Sequence, residues 1–250
     1  MMGGHHAMSG AAAWLALTTP VALGAAHLGF GVLETNRWET LAGAIVCAGA
    51  ALLPDADHHG ATISRSLPPI SNLITRVIGT VFGGHRNGTH SLLGVGFFVA
   101  LAWLADRWSM QTSAFGVIYP GAALFSIVLI SFAVKTMKFM PELLCWVIAL
   151  SAGAFVGMNA PADRAWFPLA VALGVIVHVL GDMLTTGGCN LLWPIKIKSP
   201  RWFRKIPGIG LCWKGNGRIA IPVLGDTGSQ AEWMLASVLT SYVAVALLVA

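Results

Sequence analysis

The chain reads as a series of apolar runs separated by short polar breaks. The runs cover residues 7–30, 40–53, 91–104, 113–134, 143–158, 166–184 and 233–250. Most approach the roughly 20 residues that cross a bilayer as a helix. Pro20 interrupts the first run and Pro54 ends the second. Asp106 and Arg107 close the third, Lys135 and Lys138 the fourth, and Asp163 and Arg164 the fifth. Residues 61–84 mix Arg65, Pro68, Pro69 and Arg76 with isoleucines and leucines, a pattern that suits an interfacial segment. Residues 185–230 form one long polar and basic loop. The pattern predicts an all-α polytopic membrane protein, a single domain over residues 1–250 with about seven transmembrane helices.

Composition sharpens this reading. The 250 residues are 56% hydrophobic and 10% charged, with mean hydropathy +0.74. A soluble domain carries roughly 25% charged residues, so an ordinary soluble enzyme is excluded. The net charge of +5 and pI near 9.3 would suit nucleic acid, but the distribution of the charges points elsewhere. Let face A be the membrane side that holds the N-terminus. Seven alternating spans then put twelve of the fifteen Lys and Arg on face A, leaving Arg37, Arg107 and Arg164 on face B. The positive-inside rule makes face A cytoplasmic and the protein a multi-pass component of the inner (plasma) membrane. No direct nucleic-acid partner is expected. The basic loop would be cytoplasmic and meet lipid headgroups. Cys47, Cys145, Cys189 and Cys212 form no CxxC pair, which removes zinc knuckles and dithiol redox motifs. Met1 to Met8 contain no Lys or Arg, so the first run is expected to stay as a helix rather than act as a signal peptide.

The candidate chemistry lies on face A. Of eight histidines, all but His27 fall at or near face A ends of spans, as do Asp55, Asp57 and Asp182. His6 opens the first span. Asp55, Asp57 and His58 close the second, His85 and His90 precede the third, and His178 and Asp182 close the sixth. His178 and Asp182 are four apart on a predicted helix, so their side chains share a face and can grip one metal. Asp55 and His58 are three apart beside a helix-ending proline, whose turn can aim both inward. Asp55 and Asp57 repel, if they converge, unless a cation lies between them or one is protonated. An acid at the end of an apolar run, as Asp182 is, is costly and functional by default. Imidazole with carboxylate suits zinc first, with manganese or iron as alternatives. Eight candidate ligands (His6, Asp55, Asp57, His58, His85, His90, His178 and Asp182) exceed the needs of one catalytic zinc, so one or two divalent ions are expected. Arg86, between two of the histidines, can hold a phosphoryl oxygen or simply set topology beside headgroups. Thr185 and Thr186 can support Asp182 from behind.

In chain order, His6-Ala7-Met8-Ser9-Gly10, Leu53-Pro54-Asp55-Ala56-Asp57-His58, Gly84-His85-Arg86 with Thr89-His90-Ser91, and His178 with Asp182 resemble the YdjM-type family. Leu191-Leu192-Trp193-Pro194 and Thr227-Gly228-Ser229 followed by Glu232 fit the same family. The resemblance implies a membrane-bound, metal-dependent hydrolase of the bacterial inner membrane. The family is also called LexA-binding, which admits a regulatory protein partner. His5 stands where relatives often carry threonine or another residue, so either His5 or His6 is the first ligand.

Together these readings make a hydrolase the expected function. A metal-activated water would attack a phosphorus or carbonyl centre. Asp55 or Asp57 would accept its proton, and Arg86 would stabilise charge on a phosphoryl oxygen. The interfacial position suggests an amphiphilic or lipid substrate carrying a phosphoester, with the bilayer as a partner. Two rivals remain. A divalent-ion or proton transporter would spread its acids and histidines through the membrane depth. A non-enzymatic anchor for a regulator would need only the basic loop.

Overall fold

The polar breaks become helix caps. In the computed structural model, which describes residues 1–20, 22–23, 26–27, 29–159 and 165–249, Asn36 and Glu39 form a reciprocal cap. The Asn36 side chain accepts from the Glu39 amide at 2.9 Å, and the Glu39 carboxylate accepts from the Asn36 amide at 2.9 Å. They open α2, Arg37–Ala50, which follows α1, Gly3–Thr18. Ser91 Oγ accepts from the Gly94 amide at 3.1 Å and opens α4, Leu92–Arg107, which follows the short α3, Ile70–Val81. Pro120 sits first in α5, Pro120–Met137, where its missing N–H costs nothing. Helices α6, Glu142–Asn159, α7, Trp166–Met183, and α8, Gln230–Val249, complete the bundle.

Burial separates the inner helices from the outer ones. The apolar stretch Arg37–Asp57 is 78% buried and α7 is 61% buried, whereas α6 and α8 are 28% and 22% buried. Helices α1, α2 and α7 pack on one another at the centre, with α8 outside α1, α4 against α7, and α5 bridging α2 to α6. The outer faces carry exposed Leu143, Val147 and Leu150 on α6 and Met234, Val238 and Leu248 on α8. Such surfaces are stable against lipid and not against water. Within lipid, helix association rests on close packing by small residues. A Cβ on Gly10 of α1 would lie 2.6 Å from the Cys47 carbonyl oxygen, and one on Gly174 of α7 would lie 2.5 Å from the same atom. Both helices therefore close on one point of α2 only because each carries glycine there.

The spans differ from the hydropathy pattern in several places. Among the described residues, five segments are long and apolar enough to cross a membrane: Arg37–Asp57, Pro120–Met137, Glu142–Asn159, Trp166–Met183 and Gln230–Leu248. Helices α1 and α4 have 16 residues each, about 24 Å at the α-helical rise. The first expected span stops early. α1 ends at Thr18, before Pro20, and the pairs Ala22–Leu23 (β1) and Ala26–His27 (β2) form a small antiparallel hairpin. The fourth starts late. Met110–Thr112 (β3) and Gly116–Ile118 (β4) pair as a second hairpin around a turn over residues 113–115, which Gly116 leaves with φ +70°. β-Branched and aromatic residues between Gly116 and Pro120 favour that extended form over helix. Asp163 and Arg164, expected after the fifth span, lie outside the described residues, as does the side chain of His27.

Residues 184–229 carry only two short 3-10 turns, Phe203–Lys205 and Ile209–Leu211, plus isolated bridges that pair Thr185 with Gly225 and Ile219 with both Cys189 and Trp213. The expected basic loop is therefore ordered, and its start and end fold together over one end of the bundle.

Candidate metal centre

The glycine contacts set the register of the site. Cys47, Gly10 and Gly174 meet at one level. One helical turn further toward face A stand Ala51, which caps the end of α2, His6 on α1 and His178 on α7. The His6 and His178 rings stack there, 3.7 Å between centroids and 16° apart. His178 Nδ1 donates to the Ala51 carbonyl at 2.7 Å, which leaves Nε2 as the free nitrogen facing inward. His178 Nε2 lies 3.0 Å from His90 Nε2. Two buried ring nitrogens this close need a proton or a cation between them.

Two short segments bring the remaining groups. The 3-10 turn Leu53–Asp57 prolongs α2 past Pro54 and carries both aspartates. Asp57 is enclosed: its Oδ1 lies 2.9 Å from His85 Nδ1, and its Oδ2 accepts from Thr89 Oγ1 at 2.5 Å. Asp55 is more open, its side chain 18% exposed. Between α3 and α4, Arg86 adopts φ +64° and turns its guanidinium inward. Arg86 Nε and Nη2 grip the two oxygens of Asp182 at 3.0 and 3.1 Å, a bidentate pair, while Nη1 donates to Thr185 Oγ1 at 3.1 Å. Thr185 Oγ1 donates in turn to the Asp182 carbonyl at 2.8 Å. The ordered loop closes over this pair. The Asn190 amide donates to the Arg86 carbonyl at 3.1 Å, and Arg218 Nη2 donates to the His85 carbonyl at 2.7 Å.

Two sets of donor atoms result, each within 4.8 Å: Asp55, Asp57, His85 and His90, and beside them His6, His178 and Asp182. The sets adjoin. His90 Nε2 lies 3.5 Å from Asp182 Oδ2 and 3.9 Å from Asp55 Oδ1, and His178 Nε2 lies 3.9 and 3.8 Å from the same two atoms. Donors at 2.0–2.2 Å from one tetrahedral ion stand about 3.4 Å apart. His90 and His178, each within 4 Å of both carboxylates, could therefore share a divalent ion with Asp55 and Asp182 after small adjustments. His6 Nε2, 3.2 Å from Asp182 Oδ1, flanks it on one side, and His85 flanks it on the other. His6 Nδ1 is buried without a hydrogen-bond partner. Burial pushes the His90 imidazole down, yet hydrogen bonds and charge from Asp182 and Asp57 outweigh it and raise its pKa to about 9. At His58 burial and the neighbouring His85 lower the pKa. A cavity of about 330 Å³ opens onto the centre, lined by Asp55, His58, His85 and Arg86 among others.

Seven of the eight expected ligands thus come together. His58 stands apart: its ring packs on His59 and His85, its Nδ1 accepts from the Gly60 amide at 3.2 Å, and it forms a cavity wall. Of the two candidate first ligands, His6 reaches the centre. His5 instead lies 2.6 Å from the buried Glu232 of α8, which also accepts from the Met2 and Gly228 amides. Arg86 binds Asp182 rather than standing free toward the cavity. The sequence reading missed the Ala51 carbonyl, Thr89 and Arg218. Only Thr89, inside the Thr89-His90-Ser91 block, carried a signal.

The chain has relatives among known proteins. A family profile described as YdjM inner membrane protein matches residues 1–250. The chain belongs to this YdjM family. It is 31% identical over 174 residues to the inner membrane protein YdjM of Escherichia coli (strain K12), covering 70% of this chain and 56% of that relative. The Shigella flexneri inner membrane protein YdjM matches equally. The chain therefore spans about half the length of the curated relatives it matches. No solved structure matches. With its apolar helices, this YdjM family member is a multi-pass inner membrane protein.

Proposed function

We propose that this chain is a membrane-embedded, metal-dependent hydrolase acting on a phosphoester, lipid-like substrate at the cytoplasmic face. The observation that carries the reading is the pair of adjoining His/Asp donor sets at one end of the bundle. The donor chemistry fits zinc, manganese or iron, and the sets have room for one ion or two. When bound, such an ion supplies Lewis acidity and makes water acidic near neutral pH.

The protein's own groups have separable roles. His6, His85, His90, His178, Asp55, Asp57 and Asp182 would hold the ion or ions. Asp55, the most open carboxylate of the sets, lines the cavity and through its second oxygen would accept the proton of the attacking water. Arg86 and Thr185 fix Asp182 in orientation. His58 and His85 line the cavity. The ends that meet here are the starts of α1, α4, α6 and α8 and the ends of α2, α5 and α7. Lys135 ties α5 to this end by donating to the Ser66 carbonyl and to Glu142, both at 2.8 Å. Seven membrane passes with this end in the cytoplasm agree with the placement of twelve Lys and Arg there. Transport is the weaker reading, because among the described residues the donor groups gather at one end and do not trace a path through the bundle.

Hydrolysis of phosphatidic acid and of a phosphodiester lipid in mixed micelles tests the proposal. The expected result is phosphate or alcohol release that chelation abolishes and Asp55→Asn lowers about 100-fold or more. Metal-loaded protein that turns over neither ester class, nor a carboxylic ester, would overturn it.

A further inference from the structure

Beyond the centre lies a second, larger cavity of about 670 Å³, bounded by α3. Helix α3 has two unlike faces. Ile70, Leu73, Ile74, Val77 and Val81 follow helical spacing and are all more than half exposed. Asn72, Thr75, Arg76, Gly79 and Thr80 turn to the other side and line the cavity. Its far wall is Asp57, His58, His59, Gly84 and His85, two of which belong to the donor sets. The cavity therefore lies between the polar face of α3 and the edge of the candidate metal centre, with the apolar stripe on the opposite side of the same helix.

The charges in it are uneven. Asp57 is already engaged by Thr89 and His85. Arg76 has no acceptor for its guanidinium among the described residues. Asn72 Oδ1 accepts from Ser64 Oγ at 3.0 Å, which leaves the Asn72 amide N–H groups free to donate. A polar cavity with an unpartnered cation beside an exposed apolar stripe matches a molecule with an anionic head and an apolar tail. Because α3 joins the face A ends of α2 and α4, its stripe lies at headgroup depth.

We infer that this cavity receives the phosphate headgroup of a membrane lipid, bound by Arg76 and Asn72, with its acyl chains along Ile70, Leu73, Ile74, Val77 and Val81. This names a substrate class for the centre and, for turnover only, rests on the hydrolase reading; the binding is measured separately.

The test is native mass spectrometry of the full chain in detergent with dioleoyl phosphatidic acid, alongside metal content. The wild type should retain the lipid. Arg76→Ala should retain it about tenfold less, as loss of one charge-assisted contact implies, with metal content and melting temperature unchanged. Arg76→Lys should recover part of the retention, and glycerol 3-phosphate at equal concentration should not compete. Equal retention by Arg76→Ala, or equal competition by glycerol 3-phosphate or inorganic phosphate, overturns the inference. Lipid retention by a metal-free wild type supports this site while removing the hydrolase reading. A metal-loaded wild type that retains no lipid does the reverse.

Discussion

Asp182 meets Arg86, His6, His90 and His178 at once, and almost none of it reaches solvent. Removing it leaves the guanidinium of Arg86, 8% exposed, without its carboxylate. Breaking a buried pair from one side costs about 3–5 kcal/mol. Asp182→Ala should therefore lower both the melting temperature and bound metal, whereas Asp55→Ala, which strands no buried cation, should lower metal with little change in melting. Equal melting temperatures for wild type and Asp182→Ala would contradict the pairing. Gly187 offers a subtler probe, since a Cβ there would lie 1.4 Å from Arg86 Nη1. Gly187→Ala must displace the guanidinium, with a loss of about 1–3 kcal/mol in thermal unfolding. Proton linkage tests His90. Its pKa near 9 means that the ion-free site carries a proton at neutral pH, which an incoming ion must displace. Metal affinity should rise with pH up to about 9, with proton release visible as buffer-dependent heats. Linkage has the opposite sign for the ion-free fold: this proton stabilises it below the unfolded pKa of about 6.5, and that contribution fades as pH rises through about 9. An affinity independent of pH between about 6 and 9 would contradict the assignment.

Helix register decides whether these residues meet. Gly10 and Gly174 let α1 and α7 touch the same carbonyl of α2, and one turn later the imidazoles stack. Gly174→Leu should separate α7 from α2, lower bound metal and destabilise by several kcal/mol, about the range of overpacked buried sites or more. Normal metal content in a folded Gly174→Leu protein would show that this contact does not set the site. The amphipathic α3 makes a different prediction. A tryptophan placed by Leu73→Trp should emit in the blue and be quenched by lipids brominated near the headgroup, whereas water-like emission would remove α3 from the interface. The contributing segments were legible in the sequence, because His and Asp residues are rare among apolar runs and each stood at a run's end. The register was not, since many glycines are scattered through the spans and only three-dimensional packing shows which two matter. The hairpin of residues 110–118 was hidden for another reason: its apolar strands are indistinguishable from the start of a span by hydropathy alone. The long loop was legible as basic, but its folding back onto Arg86 and His85 depends on non-local backbone bonds that composition cannot show.

The bundle as a whole gathers its polar investment at one end. Seven helix ends, a 3-10 turn, an interfacial helix and an ordered loop enclose the donor sets there, while the outer faces of α6 and α8 remain apolar. The membrane class was legible from charge deficit alone, and the chain's membership of the YdjM family accords with it. The number of passes was less so, because α1 and α4 are about 24 Å long, shorter than the roughly 30 Å hydrocarbon core. Single cysteines introduced by Lys138→Cys and Lys198→Cys should react with an impermeant maleimide only in inverted membrane vesicles, and one introduced by Arg107→Cys only in intact spheroplasts. Labelling of all three from one side would remove the crossing by α5, and the opposite pattern of labelling would reverse the topology. The central claim, that the gathered histidines and aspartates bind metal, is tested most directly by elemental mass spectrometry on the full chain purified in detergent without chelators. The expected result is roughly one or two zinc, manganese or iron ions per chain in the wild type. These ions should be lost from Asp55→Ala and Asp182→Ala proteins that keep their helical circular dichroism. A folded wild type without stoichiometric metal, even after incubation with each of these ions, would contradict it.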